Sequence, residues 1–114
     1  MISRIWHGWT THENADSYEA IVTGEVIPGI LSMDIEGFEK IELFRRSREK
    51  DVEFITIMWF RDLDSVKAFV GEDHEVSHVP KRAREVLSDF DRRSQHYDVR
   101  LVRSTAQRPV ASPK

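Results

Sequence analysis

The hydrophobic residues of the chain are concentrated in Val52–Phe60, where seven of the nine residues are apolar. The run is short, rich in β-branched and aromatic residues and bounded by charged ones, which predicts a strand rather than a helix. Strand alternation divides its side chains between two faces, with Phe54, Thr56, Met58 and Phe60 on one and Ile55, Ile57 and Trp59 on the other. Both faces are nearly apolar, so both must be covered. Helices of the same chain can cover one, and the other needs a partner or a ligand.

Three further strands are predicted from alternating polarity, at Ile2–Thr10, Phe38–Arg46 and Ser94–Val102. The second is joined to Val52–Phe60 by a short polar connection, as in a hairpin. In the last strand, Tyr97 is expected to face the core and His96 the open side of the sheet or a partner subunit.

Helical spacing of apolar residues predicts a helix from Ala15 to Val26, which Pro28-Gly29 ends or bends. A second helix is predicted from Leu63, with Gly71 as its stop. A third begins at Pro80, with one apolar stripe formed by Ala83, Val86, Leu87 and Phe90.

The order of elements is β-α-β-β-α-β, with the second helical part split in two. This order predicts an α+β fold of the ferredoxin-like type, with helices on one face of an antiparallel sheet. The domain is expected to span residues 1–103, and residues 104–114 are expected to form a disordered tail. The second apolar face of Val52–Phe60 predicts that two such sheets close against each other in a homodimer.

Composition narrows the classes of function. The chain has no cysteine, which excludes disulfides, cysteine-ligated clusters and a thiol nucleophile. A net charge of −3 over 114 residues predicts no nucleic-acid partner. No apolar run approaches membrane-spanning length, so we expect no membrane association and a cytoplasmic location.

Two stretches of the sequence resemble the antibiotic biosynthesis monooxygenase (ABM) domain family. The first is Arg4–Thr10, followed by Tyr18 and Glu25–Ile30; the second is Phe54–Phe60, leading into Leu63–Phe69. The resemblance covers the chain from about Ile2 to Leu101. It implies a small dimeric α/β barrel of ferredoxin-like fold.

The resemblance also implies a pocket that holds a planar aromatic, polyketide-type or quinone-like substrate. In cofactor-free members the substrate anion reacts with dioxygen, and Asn and Trp side chains are important. Ile2–Thr10 contains no Asn, and His7 is the nearest polar alternative, on the strand face opposite Trp6. Heme-degrading members use an Asn, a Trp and a His. In this chain Phe69 stands at about the position of that Trp and Val79 at about the position of that His, which argues against heme.

Candidate site residues follow from these patterns. His7 and His96 are predicted as catalytic histidines, although a histidine bonded within the sheet is the plainer interpretation of His7. Arg4 is predicted to contact a substrate anion, although an inter-subunit salt bridge would explain it equally well. Substrate-binding walls are predicted at Trp6, Trp59, Met58 and Phe60, although strand aromatics more often lie in a core or an interface.

The segment His74–His78 matches the H-E-x-x-H pattern of zinc proteases. Pro80 and the helix stop at Gly71 argue against the helix that this motif requires, so a polar surface turn is favoured and metal binding by His74 and His78 is a weak alternative. The leading prediction is a cofactor-independent, monooxygenase-like protein. The alternative is a non-catalytic dimeric protein that binds a small apolar or aromatic ligand, or acts in a stress response; a metal- or heme-dependent enzyme is less favoured.

Overall fold

The computed structural model describes residues 1–105. The strands are β1 (Ile2–Thr10), β2 (Phe38–Ser47), β3 (Val52–Phe60), β4 (Asp89–Phe90) and β5 (Gln95–Asp98). The helices are α1 (Ala15–Ile21), a π-helical segment (Val22–Val26), α2 (Ile27–Ser32), α3 (Leu63–Val70) and α4 (Lys81–Val86). The predicted disordered tail lies almost entirely outside the described residues and stays a prediction. No helix within residues 1–105 is both long and apolar enough to cross a membrane.

The strands form one antiparallel sheet in the order β2-β3-β1, and β4 and β5 pair one after the other along the free side of β1. The predicted α+β, ferredoxin-like fold is therefore confirmed. The last strand is shorter than predicted and is broken in two. At the break, Asp91 donates its backbone N–H to the His7 carbonyl at 2.9 Å, and its carboxylate accepts the His7 N–H at 3.0 Å. The carboxylate thus replaces a carbonyl of the sheet ladder, and the chain leaves the sheet until Gln95.

The direction of the last strand's side chains was predicted wrongly. His96 pairs with Arg4 and Tyr97 with Ser3. His96 therefore shares the helix-covered face with Arg4, whereas Tyr97 lies on the opposite face and is 57% exposed. Alternation gave the correct periodicity but could not fix which set faces inward, because that choice depends on the register with β1.

The core lies between the sheet and the helices and consists of two clusters of buried side chains. The first joins the middle of the sheet to α1 and α4 through Trp6, Phe54, Tyr18, Val22 and Ala83. The second joins the C-terminal end of β3 to α2 and α3 through Met58, Phe60, Ile30, Val66 and Phe69. All helices thus pack on one face.

The first helical region does not end at Pro28. A π-helical segment follows α1 without a break, and the Ile27 N–H donates to the Val22 carbonyl five residues earlier. Pro28, which has no N–H to donate, lies in the first turn of α2 directly after this wider turn. Likewise, α4 ends at Val86, and Leu87 is extended, so Phe90 belongs to β4 rather than to a helical stripe. α3 agrees with its prediction: the Asp62 carboxylate accepts the Ser65 N–H at 2.9 Å, and Gly71 ends the helix with φ +97°.

The second sheet face has no helix of residues 1–105 packed on it. It carries partly exposed apolar side chains from four strands, here called the open face: Ile5, Trp9, Phe44, Ile55, Ile57, Trp59 and Tyr97. Phe44 is 48% exposed. The expectation that the central strand is apolar on both sides, with one side uncovered, holds for the described chain.

Candidate functional site

A cavity lies between the covered sheet face and the helices. Its apolar wall comes from Trp6, Ile41, Met58, Val22, Val26, Ile27, Ile30, Phe69, Val79, Pro80 and Ala83. Its polar lining comes from Arg4, Tyr18, Thr56, Ser94 and His78. The volume is about 50 Å³. This space holds a few waters, whereas ligand pockets usually measure hundreds of Å³, so a ligand would have to displace part of the wall.

Trp6 is the largest sheet residue of this wall, and its orientation is fixed. Its indole Nε1 donates to the Asp91 carbonyl at 2.9 Å, and its ring lies 6.1 Å from the Phe90 ring. A Cβ on Gly8 would come within 2.7 Å of Trp6 Cη2, so the glycine leaves room for the indole. The structure therefore places Trp6 in the wall of the cavity, and its stacking role stays a prediction.

Arg4 is a buried cation in the same wall, only 3% exposed. Its Nη1 donates to the His74 carbonyl at 2.6 Å and to His96 Nε2 at 3.1 Å, and its Nη2 donates to the Val76 carbonyl at 2.6 Å. Burial lowers the pKa of Arg4 to about 10, so the guanidinium stays charged at neutral pH. It forms no salt bridge with any acidic residue among those described, so within the chain the charge of Arg4 is unpaired. The inter-subunit salt bridge named as the alternative to a substrate anion stays a prediction.

His96 lies behind Arg4 and does not line the cavity. Burial, with a smaller contribution from the Arg4 charge, lowers the pKa of His96 to about 4. Since arginine can only donate, Nε2 accepts and the proton resides on Nδ1, which is buried without a partner in the described chain. The position of His96 suits the support of Arg4 rather than contact with a ligand.

His7 lies on the open face, away from the cavity. Its Nδ1 donates to Asp91 Oδ2 at 2.7 Å, and its ring stacks on Trp9 with 6.1 Å between centroids. The structure thus places His7 and His96 on opposite sides of the sheet. It does not bring the two predicted catalytic histidines together.

The three remaining predicted wall residues lie in three different places. Met58 lines the cavity. Phe60 is fully buried in the second core cluster and does not reach it. Trp59 lies on the open face, where its Nε1 donates to Glu42 Oε1 at 3.0 Å and Lys40 approaches its ring at 4.8 Å.

Sequence reasoning missed several cavity residues. Tyr18 was assigned to helix packing, and burial raises its pKa. The buried Ser94 hydroxyl has no hydrogen-bond partner in the described chain. His78 is exposed to solvent on one side, while its ring packs against the Phe69 ring with 4.9 Å between centroids. Partial desolvation, followed by the Arg4 charge, lowers its pKa. The apolar helical stripe that contains Tyr18 could have indicated that Tyr18 faces the sheet and the cavity. Nothing in the local sequence places Ser94 or His78 at the cavity.

The H-E-x-x-H segment is not helical, so His74 and His78 do not form the zincin pair. His78 contacts the cavity, whereas His74 joins Glu75 and His96, whose ligand atoms lie within 4.8 Å of one another. A metal there would compete with Arg4 for the lone pair of His96, and Glu75 already contacts Arg93 at 3.4 Å. The polar surface turn favoured from sequence describes this segment better than a metal site.

The His96 environment predicts a pH dependence of stability. The unfolded histidine binds a proton near its ordinary pKa of 6.5, whereas the folded one resists it down to about 4. The contribution of neutral His96 to the free energy of unfolding is therefore fully present above pH 6.5. It is lost as the pH drops toward 4, which lowers the free energy of unfolding by on the order of 1–3 kcal/mol. Urea unfolding from pH 7.5 to 4.5 measures this slope. His96→Gln, which keeps an acceptor for Arg4, should flatten it, and an unchanged slope would contradict the assignment.

No family model matches the chain, and no curated protein matches it. Solved structures do. A Bacillus cereus protein named as a candidate antibiotic biosynthesis monooxygenase aligns at 16% identity over 90% of this chain and 96% of its own, with a TM-score of 0.64. SnoaB, a cofactor-independent oxygenase from Streptomyces nogalater, aligns at 19% identity over 89% and 95%, with a TM-score of 0.53. A variant of SnoaB aligns at 15% identity with a TM-score of 0.57. The ABM resemblance is thus confirmed as a likeness of fold: this chain has the α+β fold of the antibiotic biosynthesis monooxygenase proteins.

Proposed function

We propose that this protein is a cofactor-independent, monooxygenase-like protein that acts on a small planar aromatic, polyketide-type or quinol substrate. The observation that carries the proposal is the cavity between sheet and helices, with the Trp6 and Phe69 rings and a buried cation in its wall. A few polar groups in an apolar enclosure are typical of small-molecule sites. The structural likeness to a cofactor-independent oxygenase supports the choice of reaction.

The reaction needs no external reductant. Conversion of a substrate CH₂ group to C=O with one O₂ yields one water, and the substrate supplies all four electrons. The protein has to bind the aromatic ring, accept a proton from the reacting carbon and exclude water. A substrate of this type ionises to an electron-rich anion, which then reacts with dioxygen.

His78 is the proposed proton acceptor, in place of the two histidines predicted from sequence. It lines the cavity, and its lowered pKa keeps the imidazole neutral at pH 7 and able to take a proton. His7 lies on the other face, and the Nε2 lone pair of His96 is already engaged by Arg4.

The π-helical segment is the proposed entry point. Val22 and Val26, at its two ends, line the cavity, and a Cβ on Gly24 between them would meet nothing within 4 Å. π-Helical turns weaken the regular hydrogen-bond ladder and frequently occur at functional sites. Displacement of this segment would enlarge the cavity enough for a ring system.

A homodimer completes the proposed architecture. The open face exposes large apolar side chains across several strands, and patches of this kind mark interaction sites. A second copy placed on the open face would bury both apolar surfaces and leave each cavity within its own subunit. The substrate would then reach the protein from the helix side.

Oxygen uptake tests the proposal. With anthrone as substrate, protein that has been treated with a metal chelator should consume one O₂ per anthrone. It should form anthraquinone faster than anthrone oxidises in buffer without protein. His78→Ala should lower kcat about 100-fold, the usual range for loss of a general base. His12→Ala is the matched control, because His12 is exposed, does not line the cavity and, within residues 1–105, has the Glu49 carbonyl as its side-chain hydrogen-bond partner.

The outcome separates this function from the alternative. Stabilisation by anthrone without oxygen uptake would indicate the non-catalytic ligand-binding protein and would contradict the monooxygenase. An unchanged kcat in His78→Ala would leave the enzyme but overturn the role of His78.

A further inference from the structure

The cavity carries an uncompensated positive charge. Among its sixteen described lining residues, Arg4 alone is charged at neutral pH, and none is acidic. A buried ion normally has a partner of opposite charge, because burial without one is costly. Two backbone carbonyls and a neutral imidazole hold the guanidinium in place, yet they bring no negative charge.

The guanidinium also has unused hydrogen-bond donors. It has five N–H groups, of which three are engaged. Nε–H and one Nη2–H have no partner in residues 1–105. The Ser94 hydroxyl, in the same cavity wall, is buried and has no hydrogen-bond partner among residues 1–105. Phe69, 5.5 Å from Arg4 Cζ, offers only a ring face.

We propose, on the basis of the same cavity and thus of the proposed function, that the ligand of this protein is a planar aromatic carboxylate whose carboxylate group binds Arg4. The anionic group accepts hydrogen bonds from the unused Nε–H and Nη2–H of Arg4, and the aromatic ring contacts the apolar wall around Trp6. Hydrogen bonds between charged groups are the strong class, and an arginine fork suits planar oxyanions. An inorganic anion would satisfy the charge but leave the apolar wall empty.

A matched ligand pair tests this inference. Isothermal titration at pH 7.5 compares 2-naphthoate with 2-naphthamide, which has the same shape without the charge. We expect the wild-type protein to bind the naphthoate at least tenfold more tightly, which corresponds to about 1.4 kcal/mol. In Arg4→Met the affinity for the naphthoate should fall to that for the amide, while the amide itself binds as before.

Two further variants control for structure. Arg84→Met should keep the preference, because Arg84 bonds the carbonyl of the cavity residue Val79 but does not line the cavity. Arg4→Lys keeps the positive charge and should keep part of the preference for naphthoate over naphthamide. This variant replaces Arg4→Met in the titration if Arg4→Met does not fold. Equal binding of acid and amide, or no binding of either, overturns the inference, as does a preference that survives in Arg4→Met.

The two proposals fail in different ways. Tight, Arg4-dependent binding of the naphthoate without oxygen uptake by anthrone supports the anion site and contradicts the monooxygenase. Oxygen uptake without discrimination between naphthoate and naphthamide supports the monooxygenase and overturns the anion site.

Discussion

Ile57→Lys is expected to convert the protein from a dimer into a folded monomer. Ile57 lies in the middle of the open face, with Ile5 and Glu42 as its two cross-strand neighbours. In a monomer, a lysine there projects into water beside Glu42. In a sheet-to-sheet dimer the same charge would be buried against apolar side chains, which costs several kcal/mol when it lacks a partner.

Sedimentation equilibrium measures the effect, with circular dichroism as the check on folding. The wild-type mass should be twice that of the chain and the variant mass equal to it. Leu31→Lys places the same charge on an α2 residue that is 56% exposed and should leave the dimer intact. A monomeric wild-type protein would contradict the proposed dimer, as would an Ile57→Lys protein that stays dimeric.

Phe54→Ala is expected to lower the free energy of unfolding by about 3–5 kcal/mol, the usual cost of removing a buried phenylalanine ring. Phe54 is fully buried, and its ring meets the Tyr18 ring edge-on at 4.7 Å. The substitution leaves a hole between β3 and α1, and Tyr18 would lose the contact that holds it at the cavity. Ligand affinity should therefore fall together with stability.

Urea denaturation at a fixed protein concentration measures the loss, since a dimer's apparent stability depends on concentration. Leu31→Ala, at a mostly exposed position, should change the free energy of unfolding by no more than about 0.5 kcal/mol. A loss below about 1 kcal/mol for Phe54→Ala would mean that the sheet and α1 are not packed together in solution.

The structure brings together only some of the predicted site residues, and their positions show why. Arg4, Trp6 and Met58 line the cavity because they alternate correctly on β1 and β3 and face the helices. His7 was already assigned to the face opposite Trp6, and the structure agrees. His96 was assigned to the wrong face, because the alternation over Ser94–Val102 gives a period of two but does not show which half faces inward.

The polar environment of Arg4 arises from residues that are remote in sequence. The carbonyls of His74 and Val76 lie 70 and 72 positions from Arg4, and His96 lies 92 positions away. Nothing in the local pattern of Glu72–Val79 specifies that its backbone carbonyls face β1. The H-E-x-x-H motif instead suggested a local pair, which the structure replaces with separate positions for His74 and His78.

The sequence by itself determined the order of the elements, the two apolar faces of Val52–Phe60 and the likeness to the ABM fold. The first two depend on periods of two and 3.6 residues, which neighbouring positions encode. The likeness rests instead on stretches that resemble the family, such as Arg4–Thr10 and Phe54–Phe60. Only the tertiary structure decided the register of β5 on β1, the continuation of the first helix past Pro28 and the set of polar groups around the cavity. Each of these depends on which distant residues meet, and that is settled by packing the helices on one face of the sheet.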